Sequence, residues 1–416
     1  MTDAIPTTSR LLLRRRTMMG AGLSLFGWTH APHAQVASGQ RGEDQRLLVV
    51  ILRGGMDGLA AVPVPGDPSF LAVRGITPQQ QHDLREGTLP LRDIYALNRH
   101  LSVLHELYGK GEALIIHAVA SPSRERSHFA AQDVLESGLT AVVSNAPSGW
   151  LNRALQEMPR GPRVRGQSNA LAVAPTMPLI MRGRAPVGTW QPQTFLTADA
   201  DTIQRVQALY AGTDPAMAAA LQSGAALDAV IGTARQRGAP ALPGQSALVE
   251  TVSAVVRIMA RPDGPRVATM NIDGWDTHID QGFDRGRIGG QMRALDYTIS
   301  ALKEGLAPVW SSTAVLIVTE FGRTVRINGS AGTDHGTATI ALLVGGAVKG
   351  GRVLADWPGL APNQLFEGRD IAPTTDLRAV FKGVLAEHVG VPRRALDTNV
   401  FPDTAAVQPL TGLVKT

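Results

Sequence analysis

Cysteine is absent from the chain. That excludes thiolate zinc sites, disulfide staples and cysteine nucleophiles together. Aromatic residues make up only 5% of the sequence, and no basic stretch interleaves with them. Nucleic acid is therefore not an expected partner. No apolar run is long enough for a stable membrane span. There is no G-x-S-x-G elbow, no Walker A loop, no G-x-G-x-x-G after a strand, no H-E-x-x-H and no EF-hand loop. These gaps remove the commonest α/β hydrolase, nucleotide-binding and zincin readings.

Glycine and proline are plentiful, 44 and 27 in 416 residues, which predicts many turns and long loops. The length exceeds that of a usual compact domain, although large α/β domains with insertions reach it. The first residues carry Arg10 and Arg14-Arg15-Arg16, then a short apolar run from Met18 to Trp28, then His30-Ala31-Pro32-His33-Ala34-Gln35. That is the order of an export signal, and the paired arginines predict the twin-arginine route, with a periplasmic or secreted product. Removing residues 1–37 takes four arginines and one aspartate from a chain of net charge +5, leaving about +2. The expected organisation is a signal at 1–37, one α/β domain at 45–402 with a cap or insertion at 141–245, and a loose tail at 403–416.

Apolar runs rich in β-branched residues recur, as in buried strands of a parallel sheet. They include Arg46–Leu52, Glu112–Val119, Pro265–Ile272 and Val315–Val318. In an open α/β sheet, ligands sit beyond the carboxyl ends of the strands. Polar chemistry appears at each of those ends. The first run delivers Arg53-Gly54-Gly55-Met56-Asp57, and the second leads through Arg124, Arg126 and Ser127-His128 into a helix. The third ends in Asp273-Gly274-Trp275-Asp276-Thr277-His278, and the fourth in Glu320, with Asp334-His335 one loop later. Carboxylate oxygens with imidazole nitrogens suit zinc, manganese or similar divalent ions. The expected metal ligands are Asp57, Asp276, His278, Glu320, Asp334 and His335. Ser127, near a helix N-terminus, is the candidate nucleophile, with His128 as ligand or proton carrier. Arg53, Arg126 and Arg323 are candidates to hold an anionic group.

Further along, Leu179–Arg182 reads as a short strand, Val348–Val353 as part of a hairpin, and Asp376–Gly390 as a closing helix capped by Asp376.

The stretches LRGGMDGL, RSHFAAQD, GWDTH, TEFGRT-x5-GS-x-GTDHG and GGAVKGGRV resemble the DUF1501 family, from about Arg46 to Pro402. That family is placed near the alkaline phosphatase and sulfatase superfamily. The resemblance implies a three-layer α/β/α sandwich with a mostly parallel sheet, and a site of one or two metals bridged by carboxylates. It also implies hydrolysis of phosphate or sulfate esters by a Ser or Thr nucleophile at a helix start, and a metal-bound hydroxide is the alternative nucleophile. Two features depart from alkaline phosphatases: Asp276 and His278 are separated by one residue rather than three, and Glu320 is followed by Phe321 rather than histidine. The alternative function is a non-catalytic exported protein that binds a metal or a surface partner on the same fold.

Overall fold

The computed structural model describes residues 44–76, 87–159, 169–192, 200–232 and 246–415. The export signal expected at 1–37 lies outside them.

Strand β1, Arg46–Leu52, is buried at every position and organises the sheet. Its odd and even residues serve two different cores. Leu48, Val50 and Leu52 pack into one, whereas Leu47, Val49 and Ile51 pack into the other. A strand with no polar face can persist only when both faces are covered, and here both are. The first core takes helix Ser102–Gly109 through Leu104 and Leu107, helix Ser246–Met259 through Val252 and Val255, and helix Arg287–Gly305 through Leu295 and Ile299. The second takes helix Trp150–Glu157 through Trp150 and Leu151, and helix Leu377–Glu387 through Val380, Phe381 and Val384. The result is the expected three-layer α/β/α sandwich.

The remaining strands are β2 (Thr88–Pro90), β3 (Ala96–Asn98), β4 (Ala113–Ala120), β5 (Ala170–Val173), β6 (Gly188–Trp190), β7 (Val267–Ile272), β8 (Thr313–Thr319), β9 (Thr339–Val344), β10 (Arg352–Leu354) and β11 (Thr375–Asp376). Among the described residues the main sheet runs β10-β4-β9-β8-β1-β7-β5-β6, with β11 also on β4. β1 pairs in parallel with β7 and β8, while β9 is antiparallel to both β8 and β4. Two antiparallel steps restore direction, so β4 runs the same way as β8, β1 and β7. Four strands thus end on one edge, and that edge collects the site.

Several local readings are corrected. Residues 141–245, expected as a cap or insertion, contribute β5 and β6 to the sheet and Trp150 to its core. Leu179–Met181 is a single helical turn rather than a strand, because Pro178 precedes it and Ile180 N donates to Glu136 Oε2 at 3.0 Å. The expected hairpin at Val348–Val353 is not formed. β10 pairs in parallel with β4. The tail from Asp403 is not loose. Leu413 is fully buried, and the amides of Gly412 and Leu413 donate to Glu387 at 2.6 and 2.7 Å.

Candidate metal centre

The helix that carries His128 begins where β4 has delivered the chain to the common edge. Ser127 is the N-cap, with extended φ and ψ of −108° and 127°, and the helix runs His128–Ser137 until Gly138 closes it in the left-handed region. His128 therefore occupies the first helical position. Its Nδ1 lies 2.9 Å from Oε1 of Glu320, the residue that follows β8. The same oxygen accepts from Gly54 N at 2.9 Å and from Gln132 Nε2 at 3.1 Å. Gln132 stands one turn beyond His128, the spacing that puts two side chains on one helix face. Burial alone would raise the Glu320 carboxyl, but these hydrogen bonds outweigh it and hold the pKa at about 2.

Glu320 is thus a permanent carboxylate that accepts a hydrogen bond from Nδ1–H of His128 and turns Nε2 forward. Nε2 is buried and has no hydrogen-bond partner among the described residues. It lies 3.4 Å from Oδ2 of Asp276. The hydrogen bond His128 donates to Glu320 raises the His128 pKa. The geometry serves two states: an imidazolium between two carboxylates, or a neutral imidazole whose Nε2 faces a cation.

His335 is fixed in the same manner by another acceptor. Its Nδ1 donates to the carbonyl of Arg126 at 2.7 Å, which leaves Nε2 as the lone-pair nitrogen, 3.2 Å from Asp276 Oδ1. Burial lowers its pKa, and the charges of Arg323 and His128 add to that, so the ring is held neutral. Asp276 is held anionic. Burial opposes this, but the bond from Arg323 Nη2, 2.5 Å from Oδ1, outweighs it.

His128, Asp276 and His335 each offer an atom, all within 4.8 Å of one another. Two ligands about 2 Å from a tetrahedral zinc stand roughly 3.3 Å apart. The separations from Asp276 to the two imidazoles, 3.2 Å from Oδ1 to His335 and 3.4 Å from Oδ2 to His128, are each near that spacing. Two imidazoles and one carboxylate, each held from behind, are a donor set that suits a divalent ion.

His278 is the adjoining group. Its Nε2 lies 3.0 Å from His335 Nε2 and 3.1 Å from Asp276 Oδ1, and its Nδ1 lies 3.5 Å from Asp334 Oδ1. Asp334 is about half exposed, and a hydrogen bond from Asn328 lowers its pKa. Phe321 walls the group, its ring centroid 5.0 Å from that of His128 and 4.7 Å from that of His335.

Other expected residues are placed differently. Asp57 lies outside the group: Oδ1 caps the short helix Gly58–Ala61, while Oδ2 pairs with Arg74 at 2.5 Å and with Gln281 at 2.7 Å. Its oxygens are consumed by its own chain. Glu320, expected as a ligand, accepts from His128, Gln132 and Gly54 through Oε1. Arg323, expected to hold an anion, is fully buried and spends its guanidinium on the carbonyls of Gly54, Gly55, Trp275 and Thr333 as well as on Asp276. Arg126 pairs with Asp370 and Glu367, and Arg53 pairs with Glu136 at 2.7 Å while its Nη1 stays buried without a partner. Ser127 is exposed, and its side chain makes no capping bond.

Three solved structures resemble the chain distantly. Ps i-CgsB in complex with k-i-k-neocarrahexaose shares 10% identity at a TM-score of 0.43, over 89% of this chain and 77% of that one. The C-terminal periplasmic domain of EcEptC from Escherichia coli, complexed with Zn, shares 10% at 0.36, over 74% of each chain. The phosphonate monoester hydrolase of Agrobacterium radiobacter shares 12% at 0.37, over 84% of this chain and 74% of that one. At such TM-scores no residue is carried across. No curated protein matches. The family model described as a protein of unknown function (DUF1501) matches residues 111–400, most of the described fold from β4 onward, and the chain belongs to that family.

Proposed function

We propose that the chain is a metal-dependent hydrolase of phosphate or sulfate esters. The observation that carries this reading is Nε2 of His128: a buried nitrogen without a hydrogen-bond partner among the described residues, turned toward Asp276 and His335 by a carboxylate behind it. His128, Asp276 and His335 would hold one divalent ion, zinc or manganese, which would supply a Lewis acid at the ester and offset charge in the transition state. Glu320 and the Arg126 carbonyl keep both imidazoles in the required tautomer. Arg323 keeps Asp276 ionised and fixes the loop that carries it. His278, about two-fifths exposed, has a nitrogen within reach of the group and is placed to carry a proton between it and solvent. Ser127 opens the helix of His128, where the positive helix end favours a developing oxyanion.

A second reading is favoured by the same residue. No side chain among the described residues stands within hydrogen-bond reach of the Ser127 hydroxyl as its base, as a protein that binds a metal without turnover would show. Export by the twin-arginine route is part of the proposal and rests on residues 1–37 of the sequence. The test is turnover of aryl phosphates and aryl sulfates with added zinc or manganese. Activity lost in Asp276→Ala and in Ser127→Ala supports a serine hydrolase. Activity lost only in Asp276→Ala removes the serine from the reaction. No turnover of any ester by the metal-loaded protein overturns the hydrolase reading.

A further inference from the structure

A second cleft, of about 410 Å³, is lined by Arg99, His100, Asp284, Arg285, Gly286 and Arg293. None of these residues belongs to the metal group. Gly286 is the N-cap of the 19-residue helix Arg287–Gly305, so the positive helix end adjoins the cleft, while the Ile288 amide is already bonded to the Gln281 carbonyl at 3.0 Å. Three guanidinium groups and an imidazole share it with one carboxylate, and that carboxylate is 3.7 Å from Arg99. Arg285 and Arg293 are exposed and have no carboxylate partner among the described residues.

The donors outnumber the acceptors in a specific way. His100 Nε2 lies 2.6 Å from the carbonyl of Asp284 and 3.3 Å from Nη1 of Arg293. That nitrogen can donate to the first or accept from the second, not both. At 2.6 Å it donates to the carbonyl, and Arg293 then faces an N–H instead of an acceptor. An incoming oxyanion would accept from Arg293 and Arg285 at once, since planar guanidinium groups match tetrahedral oxyanions in two-point fashion. At about 410 Å³ the cleft is also larger than a lone inorganic anion requires.

We propose that this cleft is an anion-recognition site for the phosphate or sulfate group of an organic ligand. It is independent of the metal centre. The experiment is calorimetric titration of the full chain with inorganic phosphate and with inorganic sulfate, at low salt and with a chelator present. The arms are wild type, Arg285→Ala/Arg293→Ala, Arg285→Lys/Arg293→Lys and His128→Ala/His335→Ala. Wild type and the histidine pair bind alike, the alanine pair loses about tenfold or more in affinity, and the lysine pair falls between. The same titration weakens as salt is raised through the screening range. No binding of either anion by the wild type overturns the proposal, as does equal affinity in the alanine pair. Loss of binding in the histidine pair alone would assign the anion to the metal centre and overturn it too.

Discussion

Oε1 of Glu320 sits 2.9 Å from Nδ1 of His128, and both partners follow strands, β8 and β4, that end on the same sheet edge. This one bond decides which nitrogen of His128 faces Asp276. Glu320→Gln keeps the shape but can present an N–H where the carboxylate accepted a proton. Metal affinity is expected to fall about 10–100-fold. Titration against a competing chelator checks it, and unchanged affinity would remove Glu320 from the site.

Arg323 ties the loops after β1 and β7 to its own loop after β8 through four backbone carbonyls. Its loss leaves buried acceptors unpaired and frees Asp276. Arg323→Met is expected to cost about 3–5 kcal/mol of stability. Urea unfolding measures this, and a change under about 1 kcal/mol would show that the carbonyls find other donors.

Gly55 has a φ of +73°, and a Cβ there would stand 2.4 Å from the Phe321 ring that walls the two histidines. Gly55→Ala therefore meets backbone strain and a ring that cannot shift without moving His128 and His335. The expectation is about 1–3 kcal/mol of destabilisation together with weaker metal binding. Full stability and full affinity in this variant would contradict the packing described.

The pH dependence of folding has a defined sign. Burial lowers His117 and His388 from 6.5 to about 4, with their hydrogen bonds to Val62 and Arg46 opposing the shift. The unfolded chain binds these protons first as pH drops. Their contribution to stability is therefore complete above pH 6.5 and is lost as pH falls toward 4, on the order of 3 kcal/mol for each histidine. Glu320 adds a further loss between 4.5 and about 2. Unfolding midpoints at pH 7.5 and pH 5 should differ, and His388→Gln should reduce the difference. A flat profile would contradict the burial of both rings.

The sheet was legible because parallel strands buried on both faces leave continuous apolar runs, as in Leu47–Leu52 and Ala314–Val318. His128, Asp276, His278 and His335 were legible because each follows such a run. What sequence spacing cannot show is which carboxylates their own chain consumes. Asp57 and Glu320 resemble ligands until Arg74, Gln281, Gln132 and Gly54 are seen bonded to them. Those partners come from 17 to 266 residues away for Asp57–Arg74 and Glu320–Gly54, and only the fold brings them in. Gln132 carried a usable signal, one helical turn from His128. The burial of Leu413 carried none, because its apolar neighbours are few.

The central claim is that His128, Asp276 and His335 hold a divalent ion. Plasma mass spectrometry of the purified protein, reconstituted with zinc or manganese and desalted, tests it beside His128→Ala/His335→Ala. The account predicts close to one ion per chain in the wild type and almost none in the variant, with the fold of both intact by circular dichroism. A metal-free wild type after reconstitution, or a variant that keeps its ion, would contradict it.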